Sequence, residues 1–458
     1  MKLYSETGEF KLYHGSMLDM VNVIAPGSID SVVTDPPYEL NFMNKGWDNS
    51  GIAFQASTWR QCYTVLKPGG YLLAFGGSRT FHRIACAIED AGFEIRDTIM
   101  WLYGSGFPKS MNLGKAVESK LINGSANTQD FRKLKGEMVA TGDWGMGKLA
   151  KEQGFRSSNY WEDKHLRIDK VDYQTAEGQQ WDGWGTTLKP AYEPVIVARK
   201  PCEGSCVDNV LRYGVGGINI DECRVGVEER SYKGAGSSPQ KIDNHEKGDT
   251  GICMLDGSGK DLEFTVNGRF PANVILTYDD TDKDEVCGGM PETAEESASR
   301  YFYCAKASKR DRDEGLEQFE DRPLAYSNRA QAELKRGNIE ENLKAGGMNS
   351  IQIRKNTHPT VKPTELMQYL VRLVTPKGGI VLDPFNGSGS TGKATMYENR
   401  DRNAGYKYIG IELTEEYLPI ADARIRYAMG DTSPVEYMEM PKNSSDQISI
   451  FDLMEDKQ

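Results

Sequence analysis

No stretch of this 458-residue chain is apolar for the length of a membrane span, and its first residues, Met1 to Phe10, carry no charged-then-apolar leader pattern. No membrane partner is expected, and a cytoplasmic location is. Cysteine is sparse: eight residues scattered along the chain fit a reducing compartment better than a disulfide framework. The nearest grouping, Cys202, Cys206 and Cys223, is too loosely spaced for zinc and none of the five histidines lies close to it, so no metal is expected. Positive charge is lacking too. A formal net charge of −12 excludes a protein that coats nucleic acid by charge alone. It leaves room for a local basic cleft, because only the field at the phosphates matters. Local basic groups do occur, at Lys306, Lys309, Arg310 and Arg312 and again at Arg354, Lys355 and Lys362, with Asp311, Asp313 and Glu314 diluting the first.

The order of elements is more informative. A short apolar run from Ser28 to Val33 leads into Thr34-Asp35-Pro36-Pro37-Tyr38, as a buried strand delivering a rigid turn. Helical spacing follows over Phe54 to Leu66, then a buried strand over Tyr71 to Phe75, a helix over Phe81 to Ala91 and a strand over Phe93 to Tyr103. This βαβαβ rhythm predicts a parallel sheet flanked by helices. The rhythm then stops. From Gly104 to about Leu188 the chain is polar, with Trp144, Trp161, Trp181 and Trp184 among glycines. Glu193 to Lys200 is a further strand, and 201–355 is again rich in Gly, Asp and Ser, with one apolar stretch at Ala272 to Leu276. Such a span is too long for a loop, so a separate recognition lobe is expected there. The rhythm returns with a helix from Thr364 to Val374, capped by Thr364, a strand from Gly379 to Leu382, a helix starting over Gly392 to Tyr397, a strand from Tyr408 to Leu413 and a helix from Thr414 to Met429. The two ends of the chain read as halves of one sheet.

Two motifs carry chemistry. Asp383-Pro384-Phe385-Asn386-Gly387-Ser388-Gly389 is a glycine-rich turn between a strand and a helix start, where a ligand can approach backbone N–H groups closely. Glu412, at the end of the next strand, is placed as an acid that binds ribose hydroxyls. The same loop nearly matches a phosphate-binding loop through Gly387, Gly392 and Lys393, but Ala394 stands where a hydroxyl would hold Mg²⁺. In Asp35-Pro36-Pro37-Tyr38 a carboxylate and the Pro36 carbonyl can accept both hydrogens of an exocyclic amine. Its nitrogen is thereby drawn toward sp³ geometry, with the lone pair aimed at a methyl donor. Tyr38 offers a π-face to a flipped base.

The order of these motifs resembles the β-class DNA amino-methyltransferases, and more loosely a phage- and prophage-borne subgroup through Gly185 to Pro194, Gly268 to Asn273 and Tyr303 to Ser308. The resemblance covers 10–103, 186–200 and 356–426. It implies an α/β, Rossmann-like S-adenosyl-L-methionine-dependent methyltransferase fold with circularly permuted motifs and a large inserted target-recognition region. Asp35, Pro36, Pro37 and Tyr38 are then catalytic. Asp383, Pro384, Phe385, Gly387, Ser388, Gly389 and Glu412 hold S-adenosyl-L-methionine. Lys362, in Thr357-His358-Pro359-Thr360-Val361-Lys362-Pro363, belongs to the motif that holds the cofactor's methionine end. Where the family usually has Gly-Asp near the N-terminus, with a carboxylate for the cofactor's adenine, this chain has Gly15-Ser16. Asp at the first motif position is typical of adenine N6 enzymes and Ser of cytosine N4 enzymes, so adenine in double-stranded DNA is the expected substrate. Trp47 or Trp101 is a candidate second stacking face.

The expected domains are 1–103 (catalytic turn), 104–355 (inserted target recognition, with strand 193–200 returning to the catalytic sheet), 356–430 (cofactor site) and an acidic tail, 431–458. Within the tail, Gln447-Ile448-Ser449-Ile450-Phe451 resembles the peptide that docks bacterial replication proteins on the DNA sliding clamp, a Gln anchor with an aliphatic–aromatic pair suited to an apolar groove. A clamp and a homodimer are the protein partners expected.

Overall fold

Phe10 and Leu12 are buried while Lys11 between them is exposed, the period-2 pattern of a half-buried strand, and the first fourteen residues form a hairpin that the sequence reading passed over. The computed structural model describes residues 1–40, 46–103, 110–126, 173–233, 263–277, 302–325 and 351–431. In chain order the catalytic elements are β1 (Lys2–Glu6), β2 (Phe10–His14), β3 (Ile29–Thr34), α1 (Ala56–Val65), β4 (Leu66–Phe75), α2 (Phe81–Asp90), β5 (Glu94–Tyr103) and β6 (Tyr192–Arg199). Further along come α3 (Cys206–Tyr213), β7 (Val225–Lys233), β8 (Glu263–Arg269), β9 (Val274–Thr277), β10 (Phe302–Tyr303), α4 (Lys309–Asp313), β11 (Arg322–Ala325) and β12 (Ile351–Arg354). The last are α5 (Thr364–Val374), β13 (Ile380–Asp383), α6 (Ser390–Arg402), β14 (Lys407–Glu412) and α7 (Leu418–Met429).

Ten strands form one sheet in the order β1-β2-β14-β13-β3-β4-β6-β5-β9-β10. From β2 to β4 every pairing is parallel. β6 enters antiparallel between β4 and β5. All six residues of β3 are buried, as a strand covered on both faces requires. On one face Val33, Leu73 and Val197 pack with Leu370 of α5 and Met396 of α6; on the other Val32, Leu72 and Leu382 pack with Trp59 of α1 and Ile84 of α2. This is the α/β, Rossmann-like architecture expected. The permutation is visible in it, since β13 and β14 from the C-terminal part lie between β2 and β3 from the N-terminal part.

Two details differ from expectation. Helix α5 is not capped by Thr364: Pro363 occupies the cap position, and the Thr364 N–H and hydroxyl both donate to the Asp311 carboxylate. The span expected as one insertion, 104–355, divides by its contacts into two parts. Residues 105–191 form a compact unit of their own, whereas 192 onward belongs with 1–104. In the described residues of the second half of that span, β7 with β8 and β11 with β12 form two separate antiparallel pairs, while β9 and β10 extend the ten-stranded sheet. They extend it for a packing reason: Phe302 stacks on Tyr369 of α5 with ring centroids 4.2 Å apart. In the unit 105–191, Glu118 is buried and accepts from the N–H groups of Gln174 and Thr175 and from the Thr175 hydroxyl, while Trp181 and Trp184 meet edge to face.

Candidate active site

Strands β2, β14, β13, β3 and β4 all run toward one edge of the sheet, and the order of connection reverses between β13 and β3. Ligands of open α/β sheets bind beyond the strand ends at such a reversal. Both motifs leave the sheet there. Thr34 and Asp383, 349 positions apart in the chain, meet directly as the Thr34 hydroxyl donates to Asp383 Oδ1 at 2.6 Å.

The turn after β3 is held on all sides. Pro36 and Pro37 are buried, and Thr80 Oγ1 donates to the Tyr38 carbonyl at 2.8 Å. Glu39 takes φ +55°, uncommon for a residue with a side chain. That conformation is held by the Asp48 carboxylate, which accepts the N–H groups of Glu39 and Leu40, and by the Glu39 carboxylate accepting the Gly51 N–H at 2.8 Å. Lys362 Nζ donates to Asp35 Oδ2 at 2.7 Å, while Asp35 Oδ1 is buried with no partner. The same ammonium lies 3.4 Å from Glu193 Oε2 and 4.8 Å from the centre of the Phe75 ring. The Tyr38 hydroxyl donates to Glu193 Oε2 at 3.0 Å. Burial works against the Lys362 charge, but Asp35 and then Glu193 outweigh it, so its pKa is raised and it remains an ammonium. Lys362 therefore sits against the Asp35–Tyr38 turn. Burial, with the Asp35 and Glu193 charges, also drives the Tyr38 phenol well above its ordinary pKa, so it stays a donor.

Beside it, each oxygen of Asp383 has a donor. Its Oδ1 takes the Thr34 hydroxyl and the Phe385 N–H, and its Oδ2 takes the Thr391 hydroxyl at 2.6 Å. Burial raises its pKa to about 6 against the pull of those donors, with a smaller push from Asp35. Glu412 accepts from the Gly387 N–H at 2.7 Å and the Thr414 N–H at 2.7 Å, and burial raises it to about 7. Gly387 has no room for a side chain, since a Cβ there would lie 2.9 Å from the His358 ring. Ser388 is held through its carbonyl and hydroxyl by Arg424, a fully buried guanidinium. Phe385 leaves part of its ring open and rests on Trp59. Pro384 is buried, and Gly389 begins α6 at φ +75°. Ser16 lies two residues beyond β2, whose His14 pairs with Glu412. Its hydroxyl accepts from the Leu18 N–H and caps a short 3-10 turn.

Several functional-looking residues prove structural. Lys393 is buried, and its ammonium binds Asp311 at 3.0 Å and Glu314 at 2.9 Å, so it is spent on an internal ion cluster and does not serve the loop as a phosphate-binding lysine. Arg312 donates to the His358 carbonyl and Lys355 to the carbonyls of Glu317 and Phe319, so these members of the basic groups make internal contacts. Trp101 is buried and donates to Thr277, which rules it out as a stacking face. The Trp47 side chain and Gln447–Phe451 lie outside the described residues.

Asp311, Arg424, Thr34, Thr391 and Glu193 were not assigned a role by sequence. One signal was available: Ser308 with Asp311 three positions on is a helix-start pattern, and the Ser308 hydroxyl does accept the Asp311 N–H. Among the described residues no group of three or more His, Cys, Asp or Glu could hold a metal ion, and no helix is long and apolar enough to cross a membrane.

The fold and the two strand-end motifs define a permuted methyltransferase scaffold. The model of the N6_N4_Mtase family, DNA methylase, matches residues 29–423, and the chain belongs to that family. It is 40% identical over 68 residues to type II methyltransferase M2.DpnII of Streptococcus pneumoniae, covering 15% of this chain and 23% of that protein. It is 38% identical over 94 residues to type II methyltransferase M2.MboI of Moraxella bovis, covering 20% and 31%. The chain thus matches less than a third of these relatives' length. Among solved structures, PvuII DNA methyltransferase (cytosine-N4-specific) superposes with a TM-score of 0.38 at 14% identity, over 91% of this chain and 86% of that one. S-adenosyl-L-methionine is the family's methyl donor, and the residues present fit it: a side-chain-free turn at Gly387, a carboxylate at Glu412 with lone pairs left for hydroxyls, and the half-buried ring of Phe385.

Proposed function

We propose that this protein transfers a methyl group from S-adenosyl-L-methionine to N6 of an adenine flipped out of double-stranded DNA. The observation that carries the proposal is Asp35: one carboxylate oxygen is anchored by Lys362, and the other is buried with its acceptor capacity unused. An unpaired buried acceptor is costly, and an amine hydrogen of the target base would satisfy it. When bound, the cofactor supplies a methyl group on a sulfonium. Asp35 Oδ1 accepts one amine hydrogen, the Pro36 carbonyl accepts the other, and the Tyr38 ring stacks on the base. Glu412 holds the ribose hydroxyls, and the 383–389 turn with Phe385 and Ser16 lines the remaining length of the cofactor. Asp35, as opposed to Ser, at the head of the turn favours adenine over cytosine. The unit 105–191 is the part we assign to reading the target sequence.

The test is transfer of labelled methyl to unmethylated genomic DNA, followed by nucleoside analysis. N6-methyladenine is expected; N4-methylcytosine would reassign the base. Asp35→Ala is expected to abolish transfer while leaving calorimetric cofactor binding largely intact, and retained turnover would sink the assignment.

A further inference from the structure

The antiparallel strand β6 enters the sheet with its N-terminal end at the edge where the parallel strands finish. That reversal brings Glu193, its second residue, to the reacting edge. There its Oε2 accepts from the Tyr38 hydroxyl at 3.0 Å and lies 3.4 Å from the Lys362 ammonium that also holds Asp35. Two carboxylates share one ammonium, so the cluster carries one surplus negative charge. We infer that Glu193 is a positioning residue for methyl transfer, which supplies that surplus charge while Lys362 fixes Asp35.

The inference rests on the amino-methyltransferase reading and deepens it. In the reaction a neutral amine takes a methyl group: a carbon–nitrogen bond forms, and the pair of the broken carbon–sulfur bond stays on sulfur. The amine nitrogen becomes cationic and then loses a proton to Asp35 Oδ1, from which water takes it after product release. Positive charge thus moves toward Asp35 during the step. With Asp35 and Lys362 alone the cluster would be neutral and give that charge little help. The Glu193 charge is fixed before the reaction, so it costs no reorganisation in the step. Its bond to Tyr38 also ties the stacking ring to the same anchor.

The experiment compares wild type, Glu193→Gln and Glu193→Asp with unmethylated genomic DNA and labelled S-adenosyl-L-methionine. It reads kcat, the KM for DNA and calorimetric cofactor affinity. Gln keeps an acceptor for Tyr38 and removes the charge; Asp keeps the charge and shortens the reach. Expected is a kcat loss of at least tenfold for Glu193→Gln, a smaller loss for Glu193→Asp, and KM and cofactor affinity within about twofold of wild type for both. A Glu193→Gln enzyme with wild-type kcat overturns the inference, as does a Glu193→Asp enzyme that loses as much. If Glu193→Gln does not fold, Glu193→Asn against Glu193→Asp repeats the comparison of charge at the shorter length. A wild type that transfers no methyl to DNA overturns the enzymatic reading, and this inference with it; wild-type activity with indifferent Glu193 variants overturns the inference alone.

Discussion

Asp35 and Asp383 stand at the ends of neighbouring parallel strands, and both precede a proline. Their surroundings differ completely. Asp383 has both oxygens filled by Thr34, Phe385 and Thr391 and is buried. Asp35 has one oxygen tied to Lys362 and the other buried without a partner. A carboxylate with a donor on each oxygen holds structure, whereas one with an unused acceptor oxygen can act on a substrate. The contrast teaches that an Asp-Pro pair after a strand gains its role from its donors, not from its place in the sheet.

Four experiments would break or sharpen this contrast. The largest effect is expected on rate. Asp35→Asn keeps the shape of the site but removes the charge, and should lower methyl transfer by roughly 10²–10³-fold, the loss typical of one preorganised group. Asp383→Asn measured alongside should act chiefly through cofactor affinity; equal kcat losses from the two would dissolve the contrast.

On stability the order inverts. Asp383→Ala removes the acceptor of three donors, of which only Thr391 keeps another, the Val33 carbonyl, so at about 1 kcal/mol each the apo protein should lose roughly 2–3 kcal/mol in denaturant melts. Asp35→Ala should lose less than half as much, because Lys362 keeps Glu193.

A third test uses pH. The Glu412 pKa is raised by burial from 4.5 to about 7 in the fold. The stability it contributes is therefore full below pH 4.5 and is lost as pH rises through 7. Asp383, raised from 3.8 to about 6, behaves alike at lower pH. His358, lowered from 6.5 to about 3 chiefly by burial, works the other way and loses its contribution as pH falls toward 3. Glu412→Gln removes only the first of these. Its melting temperature relative to wild type should climb from pH 5 to pH 8 in the absence of cofactor, and a flat difference would show that the Glu412 carboxyl does not titrate against folding. The smallest effect should come from Thr391→Val, which removes one of Asp383's three donors and should cost about 1 kcal/mol by the same melt.

Much of the catalytic sheet was legible because its strands are short apolar runs punctuated by Pro and Gly, and its helices carry 3.6-residue spacing. The N-terminal hairpin was not, since β1 is largely exposed and β2 alternates over only five residues. The segment from Tyr303 to Leu316 was also missed. Its charged residues read only as a basic group diluted by acids, yet Asp311 and Glu314 pair with the buried Lys393. Burial of charge leaves no periodic signature, because it depends on partners supplied by other elements.

By itself the sequence determined the two turns after their strands, the family they resemble, and the permuted order in which they occur, for these are local matters of residue type and spacing. Only the tertiary structure decided which groups surround each carboxylate. Lys362 faces Asp35, Glu193 comes in on the reversed strand β6, and Asp383 is bonded by two threonines. Those neighbours are set by strand order and burial, which bring together residues hundreds of positions apart.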